Sequence, residues 1–348
     1  MHGEVPEELA DHSAVLHPKE GGTMLLYNVW LSNAVFTCKL ESGIFSKLAV
    51  DTSNKDTDWP RPGLWGSAVA VDKDQARLYT VGGVLYGIFC MDVHQLELDP
   101  GLEQPRWTAF HRTSGQPGEP KGRSGHKIAI WEGTLFVLGG EDDDDEVCGL
   151  RELPSFSLKE KKWYISTTTV AREKEEEEEE EEETEKYFPV ARSHHSVVQI
   201  KDAVWVLGGV GREWRMLDDV WILNLDTLVW SKCPAKLPQA LCSTATTVSD
   251  DGKVVMFGGK DKYGEFNNKV YEARLQVPEL KTLAWEAMCR HNGPGMASYT
   301  DQKLEEVLGP LVGGDKAKER IKTLRSIVSD PVDELEQTES EESSDEDD

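Results

Sequence analysis

Two pairs of residues invite a catalytic reading. Arg123 stands three residues before His126 and Arg192 three before His195, with His194 beside the second histidine. Imidazole and guanidinium groups at such spacing are the equipment of an acid–base or metal centre. The two sets, however, recur 69 residues apart, and His12 falls at the matching place further upstream. Positions that recur with a repeat belong to the scaffold its copies share, here as hydrogen bonding between copies. On a strand His194 would point away from His195, which separates them as metal ligands. No GxSxG, HExxH, P-loop or post-strand GxGxxG sequence is present. The six cysteines, Cys38, Cys90, Cys148, Cys233, Cys242 and Cys289, form no CxxC pair and have no histidines at zinc-ligand spacing. In a chain this long they read as reduced thiols rather than a disulfide framework. No catalytic residue, metal or cofactor is expected.

The remaining chemistry is charge. Net charge is −26, but 28 of the 64 acidic residues fall in three segments, 141–146, 172–186 and 330–348. The other 36 nearly balance the 38 basic residues, so the acidity is attached to a neutral body. That excludes the clustered basic face of a direct nucleic-acid binder. The run EDDDDE, comprising Glu141, Asp142, Asp143, Asp144, Asp145 and Glu146, lacks the spaced ligands and turn glycine of a calcium loop and reads as solvated charge. The N-terminal residues have neither the basic nor the apolar part of a secretory leader, and no stretch approaches a membrane span. A soluble, intracellular protein of cytoplasm or nucleus is expected.

The elements that position these residues are short strands in a repeat. LYTVGG, LFVLGG, VWVLGG and VVMFGG end at Gly83, Gly140, Gly209 and Gly259, each preceded by another short apolar run across a polar turn. Such pairs are hairpins. After each glycine pair comes an alternating strand, a brief turn and a tryptophan: Trp107, Trp163, Trp230 and Trp285. The unit is therefore four strands, apolar on both faces of its third strand, as a sheet between two others requires. A degenerate first copy aligns without gaps, with Asn28-Val29 at the glycine pair, Gly21-Gly22 in a turn and Phe45 at the tryptophan position. The resulting spacings are 54, 57, 69 and 50 residues.

A period near 50 with paired glycines and a downstream tryptophan resembles the kelch repeat, each copy one four-stranded β-propeller blade. The tyrosine usual between glycines and tryptophan in that family is irregular here. The expected fold is all-β, with an N-terminal extension at 1–11 and a propeller at 12–290, whose copies lie at about 12–60, 61–118, 119–170, 187–236 and 237–290. Residues 171–186 form an acidic insertion. Residues 293–300 and 311–314 fit a degenerate sixth blade, whereas 303–308 and 316–328 read as short helices; both readings of 291–330 stand. The tail 331–348 is too polar to fold, and Thr338, Ser343 and Ser344 each precede an acidic residue by three, as acidophilic kinases require.

The glutamate run, represented by Glu175, Glu179 and Glu183, lies between the fourth strand of copy three and the first strand of copy four, an insertion in an inter-blade loop. Antiparallel parity puts it on the same face as 141–146, and that face also carries the loops between second and third strands. These offer Tyr86 and Phe89 from copy two, Arg212, Trp214 and Arg215 from copy four, and Lys260, Tyr263 and Phe266 from copy five. Aromatic and arginine side chains dominate interface energetics. In kelch adaptors the same loop classes bind peptides, so the resemblance implies a non-enzymatic scaffold for a protein partner, with acidic loops steering a basic segment. Two other functions are weighed. One is a ubiquitin-ligase substrate receptor linked through 301–330. The other is a small-molecule metalloenzyme of the kelch-like class, for which the copper Cys/Tyr/His cluster and the iron Glu-x3-Asp-x3-His run are both missing.

Overall fold

The computed structural model describes residues 2–3, 13–17, 22–28, 34–51, 53, 55–62, 64–98, 104–171, 188–249 and 252–275. Trp285, the segment 291–330, the tail with its three hydroxyl residues, and Glu175, Glu179 and Glu183 lie outside them. Two compact units divide at Ala273, and of the second only residues 274–275 are described.

Apolar runs separated by polar turns give five antiparallel sheets. The first contains β2 (Ser13–Leu16), β3 (Thr23–Asn28), β4 (Ala34–Lys39) and β5 (Ile44–Lys47), with β1 (His2–Gly3) outside β5. The second holds β6 (Ala68–Asp72), β7 (Arg77–Leu85), β8 (Ile88–Glu97) and β9 (Arg106–His111). In the third are β10 (Lys127–Trp131), β11 (Thr134–Leu138), β12 (Glu152–Ser157) and β13 (Lys162–Thr167). The fourth comprises β15 (Ser196–Ile200), β16 (Ala203–Leu207), β17 (Asp219–Asn224) and β18 (Val229–Lys236), flanked by β14 (Thr169–Val170). Three strands of the fifth are described, β19 (Ala245–Val248), β20 (Lys253–Phe257) and β21 (Val270–Arg274). First strands of successive sheets touch in chain order, β2 to β6, β10, β15 and β19. The sheets are therefore successive propeller blades, five of them among the described residues. Helix among the described residues is limited to one α-turn, Lys55–Asp58, and a 3₁₀ turn, Arg212–Trp214.

The core lies between blades rather than within them. Leu25 and Tyr27 of blade one pack with Leu78 and Trp107 of blade two. Val81 and Met91 meet Leu135 and Phe156 across the next interface, and Leu138 and Leu153 meet Trp221 and Trp230 across the one after. A blade alone could not cover these faces, which is why the repeat must stack.

The glycine pairs work at the same interfaces. At Gly139 φ is +60°, and an added Cβ would lie 2.2 Å from the Arg192 carbonyl oxygen of the next blade. The neighbouring Gly140 N–H donates to that same oxygen at 2.9 Å. Backbone meets backbone here, so no side chain fits.

The Arg/His sets flank this joint, but the arginine side chains bond within their own blades and not between blades as expected. The Arg123 guanidinium donates to the Gly139 carbonyl at 3.1 Å, and Arg192 to the Gly208 carbonyl at 3.0 Å. Arg192 also grips Asp219 with two nitrogens, at 2.8 and 3.1 Å. The His126 ring bonds the Val81 carbonyl of the preceding blade at 3.0 Å. His195 differs from the expected inter-blade bonding: neither ring nitrogen has a partner, and the ring packs against Gly139. Burial pushes the His126 pKa down to about 3 and that of His195 well below the usual range, so both are neutral spacers.

Candidate functional site

One edge of the blades gathers the loops that follow the second strands. In blade two that loop is only Tyr86-Gly87, with φ of +51° and +78°, a tight hairpin turn that suits the twist of its strands. Blades three, four and five share a longer design. Glu141, Val210 and Lys260 each bridge back to the strand entry of their own blade and across to Val147, Met216 and Phe266. An aspartate stiffens two of the three loops. Asp142 Oδ1 accepts from the backbone N–H groups of Asp144 and Glu146, and Asp261 Oδ1 from those of Tyr263 and Glu265. In blade four Gly211 stands at this place, and its N–H donates to the Arg215 carbonyl.

The aromatic tips face water. Tyr86 is 94% exposed, Trp214 79%, Tyr263 76% and Phe266 81%. Phe89 departs from this group, half-buried behind the Tyr86 turn. Trp214 has φ of +57°, so two bulky residues, Tyr86 and Trp214, sit in the left-handed region while burying almost nothing. Arg212, Arg215 and Lys260 are exposed beside them, and the Lys260 ammonium lies 4.8 Å from the centre of the Phe266 ring.

The six acidic residues of blade three divide by environment. Asp142 is buried in bracing its own loop, and Glu141 is anchored to Ser124, Ser193 and His194. Its contact with His194 holds the Glu141 carboxyl below the ordinary range. Asp143, Asp144, Asp145 and Glu146 are exposed. Asp144 and Asp142 take the Lys121 ammonium at 2.7 and 3.3 Å, and they raise its pKa. Asp142, Asp143 and Asp144 have the closeness of a cation site, but a lysine occupies it. Glu146 reaches 3.9 Å from Arg212 of the next blade, joining the acidic tip to the cationic one.

The described flanks of the glutamate insertion also meet this edge. Ala171 N–H donates to the Trp230 carbonyl, and Phe188 packs into the interface of blades three and four. Phe188 lies under the Arg151 guanidinium, 4.9 Å away, and lines a cleft of about 490 Å³ with Leu150, Val190, Arg212 and Arg215. Sequence reasoning missed this cleft, because Phe188 and Val190 belong to no regular element. It also missed Lys121 and the bracing aspartates, although EDDDDE and KDKYGE share an aspartate at their second position.

A KLHDC2/KLHL20/DRC7 kelch-repeats domain model matches residues 173–300. Among curated proteins, the chain is 29% identical over 293 residues to human Kelch domain-containing protein 10, covering 82% of this chain and 60% of that protein. The Drosophila melanogaster Kelch domain-containing protein 10 homolog is 26% identical over 303 residues, covering 83% and 48%. Human Kelch domain-containing protein 3 is 24% identical over 230 residues, covering 63% and 55%. The chain thus spans 60% of the length of the human relative it matches over the longer stretch.

Proposed function

The chain belongs to the kelch-repeat family, and we propose that its propeller is a non-enzymatic scaffold that holds a protein partner on the face bearing the second-to-third-strand loops. The observation that carries this reading is the placement of Tyr86 and Trp214. A bulky side chain at positive φ, exposed and contributing nothing to the core, costs stability. Such outliers persist where function uses them. Aromatic residues at a rim also provide large contact area at low entropic cost.

The partner segment is basic. Asp143, Asp145 and Glu146 project from blade three, and the insertion leaving the same blade adds eleven acidic residues between 172 and 186. Summed charge of this kind raises association rates and specificity more than final affinity, and salt screens it. In this reading the acidic tip, through Glu146 beside Arg212, covers a cation of blade four until a basic partner displaces it. The cleft beside Phe188 gives an apolar side chain of the partner a place to enter.

The test uses the full chain and a synthetic lysine- and leucine-rich peptide. Deleting residues 175–183 should weaken binding at low salt and flatten its salt dependence. Unchanged affinity and an unchanged salt slope would end the steering role.

A further inference from the structure

In two blades the outermost strand carries one more length of chain, parallel and in a single register, and in a third, one backbone bond falls at the matching place. His2 and Gly3 pair with Ile44 and Phe45, and Thr169 and Val170 with Val229 and Trp230. In blade two the Asp51 N–H donates to the Pro105 carbonyl at 2.8 Å, as the Thr169 N–H donates to the Leu228 carbonyl at 2.9 Å in blade four. Phe45, Trp107 and Trp230 occupy one position of the fourth strand, opposite Cys38, Leu96 and Leu223. The segments added to blades one and four therefore meet their blades at the repeat's aromatic residue.

Blade three is the exception. Trp163 holds that position opposite Phe156, yet no such segment lies along β13 among the described residues. The cause is local. Arg112 and Thr113 follow β9 as Thr168 and Thr169 follow β13, but they are held on their own blade. The Thr113 N–H donates to Asp92 Oδ1 at 2.7 Å, its hydroxyl accepts from the Met91 N–H at 2.6 Å, and Arg112 donates to the Trp59 carbonyl at 2.9 Å. Glu152, the counterpart of Asp92 in blade three, is exposed, and Thr168 and Thr169 run on to blade four.

The uncovered edge has distinct chemistry. Trp107 and Trp230 are fully buried, whereas Trp163 is half-buried; the Nε1 of Trp163, like that of Trp107, has no acceptor. In blade four the same indole N–H donates to Thr168 Oγ1 at 3.0 Å, the residue leading into β14. Tyr164 is 48% and Ile165 57% exposed. Lys159, Lys161 and Lys162 are exposed at the turn that starts the strand.

We propose that the outer edge of β13 is a second docking site, where an extended acidic segment of a protein partner adds as a parallel strand with a serine or threonine hydroxyl under the Trp163 indole. The register is the one the chain itself uses on blades one and four. Strand addition supplies main-chain bonds for affinity, while the lysines and the indole select the sequence. This site is independent of the loop face and favours the opposite charge.

The test titrates the full chain with the peptide EETTVAEE, built on residues 168–171, and follows amide exchange. Binding should slow exchange at Trp163 and Ile165. Replacing the peptide's first threonine with valine should weaken it about tenfold, as should Lys161→Glu with Lys162→Glu. The peptide variant leaves the protein untouched, so a folding defect in the lysine variant does not obscure the answer. Absence of protection at Trp163 and Ile165 under excess peptide overturns the proposal. So does self-association of the full chain that the lysine substitutions abolish, since the edge would then serve a second copy.

Discussion

Blades three and four share their Arg-Ser-x-His entry, glycine pair and outer tryptophan, yet they spend them differently. In blade four Arg192 closes on Asp219, and Trp230 is sealed by Thr168 and β14. In blade three the same arginine reaches only a carbonyl, the tryptophan lacks an acceptor, and the loop that carries aromatics elsewhere carries aspartates. Shared positions build the joint between blades. Where one blade departs from its neighbour, the departure is buried at Arg192 and at the Trp163 indole nitrogen and exposed at the loop tips.

The comparison is broken most severely at the arginines. Arg192→Leu leaves Asp219 with the Trp221 indole N–H but without its countercharge, and should cost about 3 kcal/mol. Arg123→Leu removes a single bond to a carbonyl and should cost about 1 kcal/mol. Denaturant midpoints of the two variants measure the difference, and equal losses would show that the ion pair adds nothing to the blade-four joint.

Acid probes the histidines that both blades bury. The folded pKa of His126 is about 3, below its unfolded value near 6.5. Only the unfolded chain binds this proton inside that window. Stability is therefore highest above pH 6.5 and falls toward pH 3, by up to about 1.4 kcal/mol per unit for each such histidine. Unfolding midpoints at pH 7 and 5 should differ accordingly, and equal midpoints would mean that these rings do take up protons in the fold.

The tryptophans sharpen the contrast further. Trp230→Phe removes the indole N–H that Thr168 Oγ1 and the Leu150 carbonyl share, a loss of about 1 kcal/mol beyond the smaller ring. Trp163→Phe removes an indole N–H that bonds nothing and should cost less. A double-mutant cycle of Trp230→Phe with Thr168→Val isolates the bond, and zero coupling would deny it.

Much of this was legible in sequence for one physical reason: burial on both faces and a fixed backbone joint leave a periodic trace. Leu138-Gly139-Gly140 and Trp230 announce their strands directly. β1 and β14 left no trace, since two residues bonded through their backbones need no particular side chains. The split of the acidic run was hidden for another reason. Asp142 and Asp143 are the same residue type, and only the loop's own N–H groups distinguish a brace from an exposed charge. Phe89 and Tyr86 differ likewise by strand parity at a two-residue turn.

The smallest effect on stability should come from the loop tips, where Tyr86→Ser, Trp214→Ser and Tyr263→Ser should each shift it by no more than about 0.5 kcal/mol. The same triple variant is the most direct test of the loop face. Calorimetric titration with the lysine- and leucine-rich peptide should show affinity lowered at least about tenfold while the unfolding midpoint holds. Unchanged affinity in a folded triple variant would contradict the account.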